Sequence, residues 1–315
     1  MKRIILVFVI TTMILVGIMV IYDNTFLETR ESSENSEITI IATLFPQYDF
    51  ASKIGGDKVE VKLLLPSGAE SHEYEPTAQD YMNVNKADMF VYTGEEMEPW
   101  AEKIISSIDK DIKIVNVSDT IELLNEQEDE EHEEERHHEH GSDPHIWLDP
   151  RNACIMIDNI TNSLIEIDTE NMDYYLENAK EYKRQILEID GQLEDVAKNS
   201  DRNKMAFGGT FSYAYFVHRY DLEYISAYDS CVEMADPSTK KIKEVIEYVD
   251  DNNIPVIFYP ELSNGKVAKM LSEETNAKML VLSSIHNVTD DEIKMGVSYL
   301  SLMKQNLENL KIALN

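Results

Sequence analysis

Short β-rich runs alternate with helical patterns along most of the chain, and this order leaves few folds open. Strands that alternate with helices build parallel sheets covered by helices. A chain of 315 residues also exceeds what one hydrophobic core normally holds. The β-rich runs are ITIIAT, VEVKLLL, DMFVYT and IKIVNV, from Ile38, Val59, Asp88 and Ile112, and KMAFGG, LEYISA, IPVIFY and KMLVLS, from Lys204, Leu222, Ile254 and Lys278. We therefore predict an α/β fold with two Rossmann-like lobes of four β/α units each.

An apolar stripe between the two halves predicts one long helix. Apolar residues recur there at alternating spacings of three and four, at Met172, Tyr175, Ala179, Tyr182, Ile186, Ile189, Leu193 and Val196. This spacing is typical of an amphipathic helix; a coiled-coil seam would also produce it, but a helix lying against both lobes fits equally well. We predict a rigid backbone helix at residues 166–199, which joins an N-terminal lobe at residues 38–165 to a C-terminal lobe at residues 200–315.

The end of the chain carries a helix-start signal. The sequence TDDE fits a capping box, in which Thr289 and Glu292 bond each other's backbone amides. We predict one helix that runs from this point toward Leu310.

The N-terminus predicts export from the cytoplasm. Lys2 and Arg3 precede an apolar run at residues 4–22, which is near the length needed to cross a bilayer. A cleavable signal peptide normally has a shorter apolar core and a small-x-small cleavage site, and a lipoprotein signal has a Cys directly after the run. We interpret residues 1–22 as a signal anchor, with a signal peptide as the alternative, and residues 23–37 as a flexible tether.

The chain is strongly acidic, with a formal net charge of −32. This charge argues against nucleic acid as a partner, because phosphate binding needs clustered Lys and Arg. An acidic surface is either a solvated face or a means of raising the local concentration of cations. The two cysteines, Cys154 and Cys231, lie far apart in the sequence and provide no disulfide framework.

Metal-binding residue types follow the predicted strands. In open parallel sheets, ligands bind beyond the carboxyl ends of the strands. His72, in PSGAESHEYEPTAQD, follows the second predicted strand, and His145, in DPHIWLDP, follows the fourth. Thr210, Cys231, Glu261 and His286 follow strands of the second half. Because His, Cys and carboxylates are the usual zinc ligands, we predict a metal cleft between the lobes.

The two N-terminal candidates differ in how strongly the sequence supports them. His72 lies in a Gly-containing loop rich in Glu and could be an ordinary surface histidine. His145 lies between Pro144 and Pro150, with Trp147 and two Asp residues nearby. A rigid turn that holds a His beside a carboxylate is how proteins fix the tautomer of a metal ligand.

The C-terminal candidates allow more than one interpretation. Glu261 can be a ligand at a strand end or a structural carboxylate that caps loop amides. His286 can be a ligand or a packed residue at a helix entrance, and its position favours the ligand role. We expect Cys231 to be a small buried residue, with a ligand role as the alternative. The predicted metal site is therefore His72, His145, Glu261 and His286.

The sequences PSGAESHEYEPTAQD and DPHIWLDP together resemble the paired signature of the zinc- and manganese-uptake solute-binding proteins of ABC transporters. The likeness runs over residues 38–314 and includes FSYAYFVHRYDL and YPELSNGKVAKMLSEETNAKML. The resemblance implies two lobes joined by a long backbone helix, a metal between them and delivery to a membrane permease.

The family's site residues carry over to His72 and His145 only. Members usually place a His or Glu where this chain has Thr210, and often an Asp near Ser283. The second lobe must therefore coordinate the metal differently or contribute less to it.

A low-complexity stretch at residues 126–140, EQEDEEHEEERHHEH, contains four of the eight histidines, His132, His137, His138 and His140. Such a composition cannot form a core and predicts a mobile loop. It is either an unimportant solvated insertion or a loop that captures zinc weakly. Zinc-type members of the resembling family often carry such a loop, which favours zinc over manganese.

We therefore predict an extracytoplasmic solute-binding protein, a monomer held at the membrane by its N-terminal segment, that passes zinc to an ABC-type permease. The alternatives are a manganese or iron receptor of the same class, a metal-binding surface adhesin and a metallohydrolase. The last lacks support, because the sequence contains neither an H-E-x-x-H helix nor a nucleophile elbow.

Overall fold

A computed structural model of the chain describes residues 37–124, 142–228, 231 and 236–315. These residues form two four-stranded sheets and a long helix, which confirms the predicted fold class. The N-terminal segment, most of the tether and the histidine-rich stretch at residues 126–140 lie outside the described residues. Within the described part of the chain, no helix is both long enough and apolar enough to cross a membrane.

The N-terminal lobe is a parallel sheet in the order β2-β1-β3-β4. Its strands are β1 (Ile38–Ala42), β2 (Val59–Leu63), β3 (Met89–Tyr92) and β4 (Lys113–Asn116). Its helices are α1 (Phe45–Gly55), α2 (Ala78–Val84) and α3 (Ala101–Ile105). Ile41 and Phe90 lie side by side on β1 and β3 and pack with the buried Trp100 in the lobe's core.

Two helices connect the lobes. Helix α4 (Pro150–Ile167) begins where Asp149 accepts a hydrogen bond from Arg151 N, with Pro150 in the first turn. A 3-10 turn then leads into α5 (Met172–Asn199), whose 28 residues span about 42 Å at about 1.5 Å per residue. The middle of the predicted stripe is buried, whereas Met172 and Val196 at its two ends are only partly covered or exposed.

The C-terminal lobe repeats the topology of the first, in the order β6-β5-β7-β8. Its strands are β5 (Lys204–Phe207), β6 (Glu223–Ser226), β7 (Val256–Tyr259) and β8 (Lys278–Val281). Its helices are α6 (Ala214–Arg219), α7 (Thr239–Asp251), α8 (Lys266–Thr275), α9 (Asp290–Lys294) and α10 (Tyr299–Leu314). Because all the strands within a sheet run in parallel, the loops after them gather at one edge of each lobe.

Helix α5 packs against α1 and α4 of the N-terminal part of the chain and against α10 of the C-terminal lobe. Asp49 on α1 joins these elements: its carboxylate accepts hydrogen bonds from the Tyr182 hydroxyl on α5 and from Tyr299 N at the start of α10, the latter at 3.1 Å. The carboxylate also lies where the positive end of the α10 dipole favours a negative charge. The long helix is therefore bonded to both lobes.

The prediction of one C-terminal helix after Thr289 is wrong. The predicted capping box of Thr289 and Glu292 is present, but α9 ends at Lys294. Gly296 then adopts a left-handed conformation with φ of 77°, which a glycine reaches at little cost. Ser298 forms a second capping box with Ser301, and α10 begins there.

Candidate metal centre

The loop after β2 carries His72 and is fixed from both lobes. Trp100 Nε1 donates a hydrogen bond of 2.8 Å to the carbonyl of Ser71, the residue before His72. From the C-terminal lobe, Asn287 Nδ2 donates to the carbonyls of Pro66 and Ala69, at 2.9 and 3.0 Å. These bonds set the path of the loop and leave the His72 ring half-buried at the cleft.

His145 is held by the carboxylate that the sequence suggested. Asp143 Oδ1 lies 2.8 Å from His145 N and 3.1 Å from His145 Nδ1. Burial alone would raise the pKa of Asp143, but His145 outweighs it through its charge and hydrogen bonds and holds that pKa below its ordinary value. An ionised Asp143 can only accept, so Nδ1 carries the proton and Nε2 keeps the lone pair that a metal needs.

The His145 turn is also bonded to the opposite lobe. Trp147 Nε1 donates a hydrogen bond of 2.8 Å to the carbonyl of Ser284, in the loop after β8. Tyr299 donates its hydroxyl proton to the carbonyl of Trp147 at 2.7 Å. His145 is 2% exposed, so its ring direction is set by this packing and by Asp143.

His72 and His145 lie close together, with ring centroids 5.7 Å apart. Burial and the charge of His145 lower the pKa of His72 to about 4, although nearby Glu70 acts to raise it. At neutral pH the His72 imidazole is therefore uncharged, which is the form that binds metals.

The lowered pKa of His72 predicts that the metal-free protein loses stability as the pH falls. The unfolded chain binds a proton at His72 near the ordinary value of 6.5, whereas the folded protein binds it near 4. Below pH 6.5 the unfolded state thus holds more protons, and the stability that neutral His72 provides is lost as the pH drops toward 4. At about 1.4 kcal/mol per pK unit, the free energy of unfolding should fall by about 2 kcal/mol between pH 7.5 and 5 because of His72.

Urea unfolding of the chelator-treated wild type and of the His72→Asn variant at both pH values measures this contribution. Between the two pH values, the free energy of unfolding should fall less in His72→Asn than in the wild type, by the contribution given above. In His218→Asn, which changes an exposed position on α6, it should fall as much as in the wild type. Equal losses in the wild type and in His72→Asn would contradict the prediction.

His286 is oriented by a relay through Ser284. The Ser284 hydroxyl donates to Glu261 Oε1 at 3.1 Å and lies 2.5 Å from His286 Nδ1. Because that hydroxyl has one proton and gives it to the carboxylate, it accepts from Nδ1, which leaves the Nε2 lone pair for a metal. Burial lowers the pKa of His286, against the opposing charge of Glu261, so the ring is neutral at neutral pH.

Glu261 also stabilises the turn that carries His286. Its carboxylate accepts hydrogen bonds from the backbone N–H groups of Ser284 and Ile285, at 2.8 and 3.1 Å. Ile285 has φ of 63°, a left-handed conformation that is costly for a β-branched residue. Of the two interpretations of Glu261 from sequence, these contacts support the structural carboxylate.

Cys231 lies beside His72, with its Sγ 3.5 Å from His72 Nε2. One ligand atom from each of His72, His145 and Cys231 can be chosen so that all three lie within 4.8 Å of one another. Among the residues that the structure describes, this is the group of His, Cys, Asp and Glu side chains that could hold a metal ion. The sequence predicted a buried Cys231, but the residue is only partly buried, and its position after β6 is the sequence signal for a ligand.

The candidate ligands open onto a cleft with a volume of about 170 Å³, smaller than the roughly 300–1,000 Å³ of pockets for drug-sized ligands. It is lined by Gly68, Ala69, Glu70, Ser71, His72, His145, Thr210, Ser212, Cys231, Pro260, Leu262, Ser263, Ser284 and His286. The structure thus brings His72, His145 and His286 to one cleft with Cys231. Glu261 is not one of the lining residues and instead accepts a hydrogen bond from the lining residue Ser284. The buried Ser283 instead bonds Asn306 through its backbone, at 2.7 and 2.8 Å.

A family model described as "Zinc-uptake complex component A periplasmic", ZnuA, matches residues 40–313. The chain belongs to the ZnuA family. The high-affinity zinc uptake system protein ZnuA of Bacillus subtilis (strain 168) is 33% identical over 286 residues, which cover 90% of this chain and 89% of that protein. This confirms the family resemblance read from the sequence.

Two further comparisons concern a longer relative. The zinc-binding lipoprotein AdcA of Streptococcus pneumoniae (strain R6) is 31% identical over 287 residues, which cover 90% of this chain but 57% of AdcA. The crystal structure of the Zn(II)-bound ZnuA-like domain of that species' AdcA superposes with a TM-score of 0.74 at 28% identity, over 89% of this chain and 99% of the domain. This ZnuA-family chain therefore has the fold of the ZnuA-like domain, and it spans little more than half of AdcA.

Proposed function

We propose that this ZnuA-family chain captures zinc outside the cytoplasmic membrane and delivers it to the permease of an ABC-type uptake transporter. The family model and the zinc-uptake relative support the transport role. The Zn(II)-bound structure of the similar domain supports zinc as the cargo.

The observation that carries this proposal is the convergence of ligand side chains from both lobes on one small cleft. His72 and His145 come from the N-terminal lobe, and Cys231 and His286 come from the C-terminal lobe. At His145 and His286, hydrogen bonds assign the proton to Nδ1 and the lone pair to Nε2. A cleft of this size suits an ion with its ligands and not a bulky solute.

Calorimetric titration of the chelator-treated, full-length chain with zinc tests the binding step. We expect one tightly bound zinc per chain and weaker binding of manganese. Growth of a deletion strain under zinc limitation tests the transport step. The strain should grow poorly, and added zinc should restore its growth. Normal growth of that strain, or a wild-type chain that binds no zinc, would contradict the proposal.

We place the chain among binding proteins and not among enzymes. A hydrolytic zinc site needs an open coordination position for water and a general base near it. The family match supports a binding role, and the Glu261 carboxylate already accepts hydrogen bonds from the hydroxyl of Ser284 and from two backbone N–H groups. A screen for zinc-dependent hydrolase activity should give no turnover.

We further propose that residues 1–22 hold the chain at the outer face of the membrane and that it acts as a monomer. The positive charges of Lys2 and Arg3 before the apolar run support this location. Fractionation of cells followed by immunoblotting tests it: the protein should be found with membranes and be accessible to protease from outside.

Deletion of residues 126–140 should leave tight zinc binding intact. The four histidines of that stretch are separate in sequence from the ligands of the cleft, and as a feeder they raise the local concentration of zinc without completing the site. Calorimetry should give a zinc affinity within about threefold of the wild type, with the weak additional binding lost; a large loss of tight binding would show that the stretch belongs to the main site.

A further inference from the structure

Resting on the proposed zinc-binding function, we propose that Cys231 binds the captured metal as a thiolate and is the residue that selects zinc over manganese. The side chain enters the site from the C-terminal lobe, where Thr210 provides only a hydroxyl.

The distance between Cys231 and His72 fits a shared metal. Zinc lies about 2.3 Å from sulfur and about 2.0–2.1 Å from nitrogen, so a tetrahedral site places S and N ligands roughly 3.6 Å apart. Cys231 Sγ lies 3.5 Å from His72 Nε2, the imidazole nitrogen farther from the backbone. The third candidate, His145, has its ligand atom within 4.8 Å of both.

The ring orientation of the histidines supports the same assignment. Nδ1 of His145 donates a hydrogen bond to Asp143, and Nδ1 of His286 donates one to the hydroxyl of Ser284. Each ring therefore offers Nε2 as its ligand atom. The imidazoles of His72, His145 and His286 with the thiolate of Cys231 make up the four ligands that zinc prefers.

The donor set determines which metals can bind. Manganese prefers oxygen ligands in octahedral sites, whereas thiolate and imidazole favour zinc and similar soft or borderline ions. Within the described residues, the potential metal cluster contains no carboxylate, and the oxygens of Glu261 are bonded to Ser284 and Ile285. Of the three side chains in that cluster, the thiolate is the one that most disfavours a hard ion such as manganese.

The chain has a matched control in Cys154. It is the other cysteine of the sequence, it lies on α4, and the two do not form a disulfide. Burial raises the pKa of the Cys154 thiol to about 12, so this thiol is unreactive at neutral pH.

Cobalt(II) titration of the full-length chain tests thiolate ligation, because a cobalt–thiolate bond gives an intense near-ultraviolet charge-transfer band. The wild type and Cys154→Ser should show that band, and Cys231→Ser should lose it. Zinc affinity should fall at least about tenfold in Cys231→Ser. Mutation of a residue that only hydrogen-bonds a metal ligand already lowers metal affinity about 10–100-fold. Cys231→Asp should shift the ratio of zinc to manganese affinity toward manganese by a similar factor.

A second measurement does not depend on the folding of a Cys231 variant. In Cys154→Ser the only thiol is that of Cys231, and bound zinc should slow its alkylation by iodoacetamide at least tenfold. A wild-type cobalt complex without the thiolate band, or alkylation that zinc does not slow, would overturn the thiolate role while leaving zinc binding by the histidines in place. Failure of the wild type to bind zinc at all would instead overturn the proposed function.

Discussion

Replacement of both His72 and His145 with alanine should abolish tight zinc binding. Both rings lie at the cleft with their centroids 5.7 Å apart, and they are the two candidates that the N-terminal lobe contributes. Loss of a residue that hydrogen-bonds a metal ligand already lowers metal affinity about 10–100-fold, so loss of two direct ligands should lower it roughly 10³-fold or more. Calorimetry and competition with a chromophoric chelator measure the affinity.

The design must separate loss of ligands from loss of folding. His145 is almost fully buried, and its removal leaves Asp143 without the ring nitrogen that it contacts. The unfolding midpoint of each metal-free variant in urea should therefore be recorded beside its affinity. The His218→Ala variant removes a histidine at an exposed position on α6 and should bind zinc like the wild type. A folded double variant with wild-type affinity would contradict the assignment of the site.

The two lobes and the long helix could be predicted because their signals are local, and the proposed N-terminal ligands rest on signals of the same kind. Strand patterns and the apolar stripe depend on neighbouring residues, and parallel strands place their following loops at one edge. The pairing of His145 with Asp143 was visible because the two residues are separated by one proline.

The C-terminal half of the site depends on backbone geometry that no local pattern reveals. The role of Glu261 follows from the left-handed Ile285, whose N–H turns toward the carboxylate. Cys231 becomes a candidate ligand only through its distance to His72, which lies 159 positions earlier in the chain. Likewise, the break before α10 depends on a capping box at Ser298 that overrides a continuous helical pattern.

Replacement of Asp190 with alanine should cost about 3–5 kcal/mol in the free energy of unfolding, the usual result of leaving one member of a buried ion pair alone. Asp190 is a buried carboxylate within the long helix α5. Its Oδ2 accepts hydrogen bonds from Arg219 Nη2 at 2.8 Å and from Arg151 Nε at 3.4 Å, and its Oδ1 accepts from the Tyr220 hydroxyl at 3.1 Å. These bonds join the helix to α4 and to the C-terminal lobe.

The size of the effect depends on what remains around Arg219. Its side chain is 12% exposed, and after removal of Asp190 its nearest carboxylates are Asp149 at 3.8 Å and Glu194 at 4.0 Å. Neither distance allows a short charge-assisted hydrogen bond, so the guanidinium would stay buried without a close partner. The charge of Arg219, and not the lost packing of a small side chain, accounts for most of the expected cost.

Glu194→Ala provides the matched control, because Glu194 lies one turn further along the same helix and also faces Arg219, but is exposed enough to be solvated. Urea unfolding should give a large loss for Asp190→Ala and almost none for Glu194→Ala. Since Arg151, Arg219 and Tyr220 do not line the cleft, the zinc affinity of the folded Asp190→Ala variant should match that of the wild type. Equal stability losses in the two variants would show that the cluster around Arg219 does not hold the C-terminal lobe against the helix.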